Sequence, residues 1–257
     1  MGGSVVVERR GAMLHVTIDR PEKRNALGTA TLEALRETFG DPRSDDTLVA
    51  AVLTGRGDKA FAAGGDLREL QALDTAPAIE THTQLARSAL AAIRHFPVPV
   101  VAALNGDALG GGLELAMACD VRVAAPHARL AFLQGTLALP SAWGGTEDLV
   151  HDVGPARALE LLASSRRLSA HEALALGLVQ FVAGAEESFD AWTSRWLETW
   201  SHQRPQVMRA LKANVRAMRE GVAPQERAAR SLHAFVDCWL HPDHLQAADR
   251  KIGTMGR

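Results

Sequence analysis

Two glycine clusters and one glutamate are the residues of this chain best placed to do chemistry. The clusters are Phe61-Ala62-Ala63-Gly64-Gly65-Asp66-Leu67 and Asn105-Gly106-Asp107-Ala108-Leu109-Gly110-Gly111-Gly112-Leu113-Glu114. Each comes after an apolar run of strand length and precedes a helical pattern. Consecutive glycines at a helix start leave backbone N–H groups uncovered by side chains. The first helical N–H groups have no internal acceptor and sit at the positive end of the helix dipole. Such a place suits an anion or a developing oxyanion. Glycines also relieve crowding in any tight turn, so one cluster alone says little. Two clusters after two neighbouring buried strands can aim donors at one ligand. Glu114 lies in the first turn after the second cluster. It is either a helix-end charge or a general acid or base beside those donors.

The elements that must position these residues alternate along the chain. Val5 to Arg9 and Met13 to Ile18 flank Arg10-Gly11-Ala12 and read as a hairpin. Thr29 to Phe39 has helical spacing, and residues 41–46 read as a loop. Leu48 to Leu53, Val98 to Leu104 and Val121 to Ala125 are continuous apolar runs, as expected of strands buried on both faces. Helical patterns at Ile79 to Arg94 and Leu113 to Cys119 lie between them, the signature of parallel crossover units. Ser169-Ala170-His171-Glu172 fits a capping box, Gly177 ends that helix, and Leu178 to Val182 reads as a short strand. Beyond Glu186 the chain is helical, broken near Pro205 and Pro224. The expected fold is α/β, with a body over residues 1–195 and a helical region over 196–257.

Bulk properties exclude several classes. With 28 Lys plus Arg against 30 Asp plus Glu, the net charge is −2, so nucleic acid is not an expected partner. No apolar run is long enough to span a membrane and no signal-peptide pattern opens the chain. Two cysteines make no disulfide framework, which points to a reducing, cytoplasmic setting. Cys119 sits in an apolar run and reads as a buried hydrophobe. The chain has no tyrosine, which removes any mechanism needing a phenol. No histidine has a spacing that suggests a metal site. His82 and His95 flank the helix after the first cluster, and a surface role is expected for His82. Gly55-Arg56-Gly57-Asp58-Lys59-Ala60 matches a loose dinucleotide pattern, but no helix is expected to start there.

Several phrases together resemble one family. They are Arg20-Pro21 with Asn25-Ala26-Leu27, the two glycine clusters with Gly110 to Asp120, Trp143-Gly144-Gly145-Thr146, and Arg167-Leu168-Ser169-Ala170 with Ala173 to Val179. In this order they look like the enoyl-CoA hydratase/isomerase, or crotonase, family from about residue 5 onward. The resemblance implies a spiral of β-β-α turns packing two sheets, with C-terminal helices that build a homotrimer or a dimer of trimers. It implies an acyl-coenzyme A thioester as ligand, the coenzyme being part of the substrate, with no further cofactor and no metal. The thioester oxygen would accept from the N–H groups of Gly65 and Gly111. Lys23, Arg24 and Ala26 would lie near the phosphates and adenine. Ala63, Asp66 and Leu67 would line the pantetheine channel.

The resemblance also makes Glu114 a catalytic acid/base and exposes a departure. Hydratases of this family carry a second glutamate upstream of the Trp143 phrase. Counting back without gaps gives Leu133-Gln134, so Gln134 stands in its place. An amide orients a substrate or water but neither gives nor takes a proton at neutral pH. Hydration therefore competes with three other readings. These are decarboxylation of a malonyl-type thioester, thioester hydrolysis, and acyl-CoA binding without turnover.

Overall fold

The computed structural model describes residues 4–40 and 45–255. Most of the loop expected at 41–46, and Gly2 and Gly3, lie outside the described residues. The chain opens with the expected hairpin, β1 (Val5–Arg10) and β2 (Met13–Ile18), paired antiparallel. A 3-10 turn at Pro21–Lys23 leads to α1 (Thr29–Gly40). Next come β3 (Ala50–Gly55), β4 (Ala60–Ala62), α2 (Leu67–Gln71) and α3 (Ala76–His95). The next turn is β5 (Val100–Leu104), β6 (Asp107–Leu109) and α4 (Gly111–Ala118). After it come β7 (Val121–Ala124), β8 (Arg129–Ala131), a 3-10 turn at Gln134–Leu137, α5 (Gly145–Val153) and α6 (Pro155–Ser164). The body closes with β9 (Leu168–Ser169), α7 (Ala170–Ala175) and β10 (Phe181–Val182). The C-terminal region is helical: α8 (Phe189–Ser201), α9 (Pro205–Arg219), α10 (Pro224–Leu240) and α11 (Pro242–Met255).

From β3 to β8, consecutive strands go to different sheets. The larger sheet has the order β1-β2-β3-β5-β7-β10, parallel except for the hairpin. The smaller has the order β4-β6-β8-β9, with β9 antiparallel. The pairs β3/β4, β5/β6 and β7/β8 each send one strand to each sheet. Every turn of the chain therefore climbs one step along both, the spiral that the family resemblance implies. Composition alone marked the larger sheet; the three-residue strands of the smaller one are too short to carry a periodic signal.

Burial explains why the long apolar runs are strands. Every residue of β5 is buried, with helices α1 and α3 on one side. The opposite face meets Leu197 of α8, Met208 of α9 and the partly buried Trp192, Trp196 and Trp200. Two apolar faces are the expected pattern of a parallel sheet covered on both sides.

α4 is buried along its whole length, and its first turn explains the glycines. A Cβ added at Gly112 would collide with the carbonyl oxygen of Ala62 in β4. Only a residue without a side chain lets the helix start this close to the smaller sheet. Lys212 of α9, itself buried, pairs with Asp120 just beyond α4 and so ties the C-terminal helices to the same element. Burial pushes the Lys212 ammonium below its ordinary range while Asp120 opposes the shift. Asp120 also accepts from the Val100 N–H at 2.7 Å, linking that pair to the start of β5. Replacing Gly112 with Ala is expected to lower stability by at least about 2 kcal/mol through the Ala62 clash. A urea midpoint that falls at an unchanged m-value checks it.

Candidate active site

The first glycine cluster is shaped by its neighbours before it meets any ligand. Asn25 is buried with φ of 56°, in the left-handed region that Asn tolerates better than most residues. Its amide donates to the carbonyl of Ala60 at 2.7 Å, and its Oδ1 accepts from the Arg20 N–H at 3.1 Å. That clamp brings Leu27 alongside Gly65. The Leu27 N–H donates to Gly64 O at 2.8 Å and the Asp66 N–H to Leu27 O at 3.2 Å. Gly64 has φ of 107°, which turns the chain sharply before Gly65. The bonds on both sides skip the Gly65 N–H. Among the described residues, no backbone hydrogen bond outside the regular elements uses the N–H of Gly65 or Gly111. Gly111 opens α4, so its N–H also lacks an intrahelical acceptor.

The two glycine clusters approach each other. A Cβ built on Gly64 would stand 3.8 Å from the Gly111 nitrogen. The ring of Trp143 lies against both clusters. Its Cη2 would be 3.6 Å from a Cβ on Gly65 and 2.8 Å from one on Gly111. The Trp143 ring also lies beside His82 of α3, with centroids 6.3 Å apart and the planes tilted by 58°.

Glu114 is buried, and both its carboxylate oxygens are engaged. Oε1 accepts from the Ser141 hydroxyl at 2.5 Å, the Trp143 N–H at 3.1 Å and the Gly145 N–H at 3.0 Å. Oε2 accepts from Gln134 Nε2 at 2.8 Å. The residue therefore caps the start of α5 as well as sitting in the first turn of α4. A carboxylate offers about two acceptor sites per oxygen. Oε1 is crowded, and Oε2 keeps one site open. The carboxylate also fixes the orientation of the Gln134 amide, since only Nε2 can donate to it. Gln134 Oε1 is thereby left buried with no partner among the described residues.

Most of the residues expected around coenzyme A are linked by contacts near Asp66. Asp66 caps α2 and pairs with Arg20 at 2.9 Å and Lys23 at 3.0 Å. The hydrogen bond from Lys23 is the largest cause holding the Asp66 carboxyl at about 2, with Arg20 adding to it and burial opposing. Arg24 pairs with Asp107 at 2.6 Å, and its carbonyl accepts from the Ala63 N–H at 3.1 Å. Ala26 is buried, its carbonyl bound by Arg20 at 2.6 Å, and Leu67 is exposed. Leu133 is half-buried and immediately precedes the turn that carries Gln134.

The expectation for His82 needs correction. It is buried at 8% exposure, not on the surface, because its face of α3 packs toward Trp143. Burial pushes its imidazole below the ordinary range, Glu69 opposing in part, and Nε2 has no partner among the described residues. Cys119 is buried as expected, and burial pushes its thiol up to about 12. Ser141 gave no signal in the sequence, and Trp143 entered only as part of a family phrase, with no role attached to its side chain. Ser141 contacts Glu114 across a gap of 27 residues, which no local spacing reveals.

Residues 8–244 match the model of the enoyl-CoA hydratase/isomerase family. The chain belongs to this family. It is 36% identical over 184 residues to a short-chain-enoyl-CoA hydratase of Clostridium acetobutylicum, covering 72% of this chain and 70% of that protein. It is 33% identical over 233 residues to the 2,3-dehydroadipyl-CoA hydratase of Escherichia coli, covering 90% and 89%. The solved enoyl-CoA hydratase of Bacillus anthracis superposes with a TM-score of 0.89 at 30% identity, covering 96% of each chain. This is an acyl-CoA enzyme of the hydratase/isomerase family with the crotonase fold. Among the described residues no helix is long and apolar enough to cross a membrane.

The Asp66 cluster sets a pH dependence. A carboxyl held low in the folded state stabilises above its unfolded value, near 3.8, and loses that contribution as pH falls through about 2. Asp66→Asn keeps a capping side chain but loses the ion pairs, so it is expected to cost about 1–2 kcal/mol at pH 7. The difference from wild type should vanish near pH 2. Urea unfolding of both proteins at stepped pH measures it.

Proposed function

We propose that this chain hydrates a 2-enoyl-CoA, with Glu114 as the single acid/base and Gln134 orienting the water. The observation that carries this is the buried, unpartnered Oε1 of Gln134 beside the open site on Glu114 Oε2. Two neighbouring acceptors are satisfied together by one water donating a hydrogen to each. Both its hydrogens are then spent, and a lone pair faces the substrate. A buried acceptor without a donor costs about 1–3 kcal/mol, so the site favours that water.

The thioester oxygen accepts from the N–H groups of Gly65 and Gly111. Each such donor contributes about 3–4 kcal/mol as charge develops on the oxygen. The water oxygen bonds to Cβ, the π pair moves through Cα to the thioester oxygen, and the water proton passes to Glu114 Oε2. The enolate collapses as Glu114 returns a proton to Cα. The net change is one water added across the double bond, and one carboxylate suffices because it takes and gives the same charge. A malonyl-type substrate fits less well. Its carboxylate would face Glu114 and Gln134 Oε1, which repel it, while Gln134 Nε2 is already committed to Glu114. Lys23 and Arg24 bind the coenzyme phosphates in this reading, with Ala26, Ala63, Asp66, Leu67 and Leu133 shaping the channel.

Association as a homotrimer or a dimer of trimers is supported by the exposed apolar residues of α10 and α11. These include Leu232, Phe235, Trp239, Leu240 and Leu245. Faces of this kind mark contact surfaces in folded proteins. A cytoplasmic setting remains the reading of the cysteine content. Light scattering is expected to give three or six times the 27.5 kDa chain mass; a monomer at micromolar concentration contradicts it.

The decisive assay tracks the enone absorbance of crotonyl-CoA. Glu114→Gln is expected to retain thioester binding and lose at least ~10²-fold in turnover. Gln134→Leu, which cannot hold the water, is expected to lose about tenfold or more. Release of carbon dioxide from ethylmalonyl-CoA without hydration of crotonyl-CoA would overturn the proposal.

A further inference from the structure

An open cleft of about 1270 Å³ runs along α1 and α3, lined by residues that include Glu33, Ile79, His82 and Leu85, with Leu73 from the connection between α2 and α3. It is large enough for a long acyl chain. His82 is the lining residue that also faces the Trp143 ring. Trp143 therefore touches both glycine clusters and His82, and His82 in turn lines the cleft. Trp143 is 8% exposed, and its ring fills the space that a Cβ on Gly111 would need and lies 3.6 Å from the place of one on Gly65. Its position is fixed from two sides. Its own N–H is bound by Glu114, and Gly144 after it has φ of 105°. The backbone that carries the ring is thus held by the same carboxylate that the proposed chemistry uses.

We infer that Trp143, backed by His82, is a partition that closes the acyl pocket against this cleft and restricts the enzyme to short acyl thioesters. The inference rests on the acyl-CoA reading above and adds the substrate class. An acyl chain whose carbonyl sits at the Gly65 and Gly111 amides has its next carbons beside Glu114 and the indole. A four-carbon acyl group ends there. A longer one meets the ring, which cannot yield without breaking its packing on two glycines and on His82. Well-packed apolar walls discriminate single methylenes by about 10–200-fold. The backbone bond from Trp143 to Glu114 does not involve the ring, so a smaller side chain opens the partition without removing the acid/base.

The test is a chain-length series on wild type, Trp143→Ala and Trp143→Leu, the leucine variant retaining an apolar side chain should alanine fail to fold. The substrates run from crotonyl-CoA to 2-decenoyl-CoA and kcat/KM is read from the enone absorbance. Affinities for butyryl-CoA to decanoyl-CoA give the same profile without requiring turnover. Wild type is expected to fall at least tenfold for each two-carbon extension, and either variant to raise the decenoyl-to-crotonyl ratio at least tenfold. A wild type that takes decenoyl-CoA as well as crotonyl-CoA overturns the partition and leaves the acyl-CoA reading standing. So do variants with an unchanged length profile. Failure of every thioester, short or long, to bind overturns the acyl-CoA reading and the partition with it.

Discussion

One carboxylate joins the parts of this site. Glu114 starts on α4, and its two oxygens reach the turn carrying Gln134, the Ser141 hydroxyl and the first N–H groups of α5. These partners lie in one stretch, residues 134–145, which no strand pairing ties to α4. A buried charge is tolerated only when hydrogen bonds replace its hydration. Here four donors do so, and the burial of Glu114 in turn fixes where that stretch lies. The geometry of the candidate site and the packing of α4 on α5 are therefore one constraint. A Cβ on Gly145 would strike the Glu114 side chain, so the glycine after Gly144 belongs to the same arrangement.

The spiral supplies the second condition, which is that two glycine clusters distant in sequence meet. Gly64 and Gly65 come after β4, while Gly110 and Gly111 come after β6, and these strands are adjacent and parallel in the smaller sheet. Parallel neighbours end on the same edge of a sheet, so the turns that leave them share that edge. The larger sheet sets the spacing of the turns, and buried Asn25 and Asn105 clip the connecting loops. Asn105 accepts from the Gly55 N–H at 2.9 Å and donates to Gly57 O at 2.7 Å. Buried amides of this kind are fully used, in contrast to Gln134.

The sequence carried the large sheet, the main helices and the glycine clusters because each has a local signal. Val100 to Leu104 is apolar throughout, and Ser169 with Glu172 forms the capping box its spacing suggests. The run at Leu48 to Leu53 was legible but its strand starts at Ala50, since burial extends past the hydrogen-bonded ladder. Leu178 to Val182 shortens to Phe181–Val182, because only two residues reach β7. A third helix break, at Pro242, has the same cause as those at Pro205 and Pro224, a proline at the first helical position. The contacts that stayed hidden were those set by tertiary packing. His82 lies on a helix face whose partner, Trp143, is 61 positions later. Ser141 and Gln134 meet Glu114 only after the spiral has closed.

The exchange of a glutamate for Gln134 has a physical consequence beyond the loss of a proton carrier. Two ionised carboxylates at this separation would repel, and one would have to stay protonated or turn away. The amide turns that repulsion into a 2.8 Å hydrogen bond and presents its own carbonyl to the site. In the proposed hydration every proton would pass through one group, Glu114, which four donors hold in place. The same reasoning applies to the residues proposed to bind the coenzyme. Lys23 and Arg24 are not free cations but already face Asp66 and Asp107. A phosphate that takes them as partners must compete with carboxylates, so the loop is positioned by ion pairs before any ligand arrives. Both halves of the site are therefore preorganised by polar contacts internal to the chain. The acceptor capacity left over for a substrate or its water is concentrated on two atoms, Glu114 Oε2 and Gln134 Oε1.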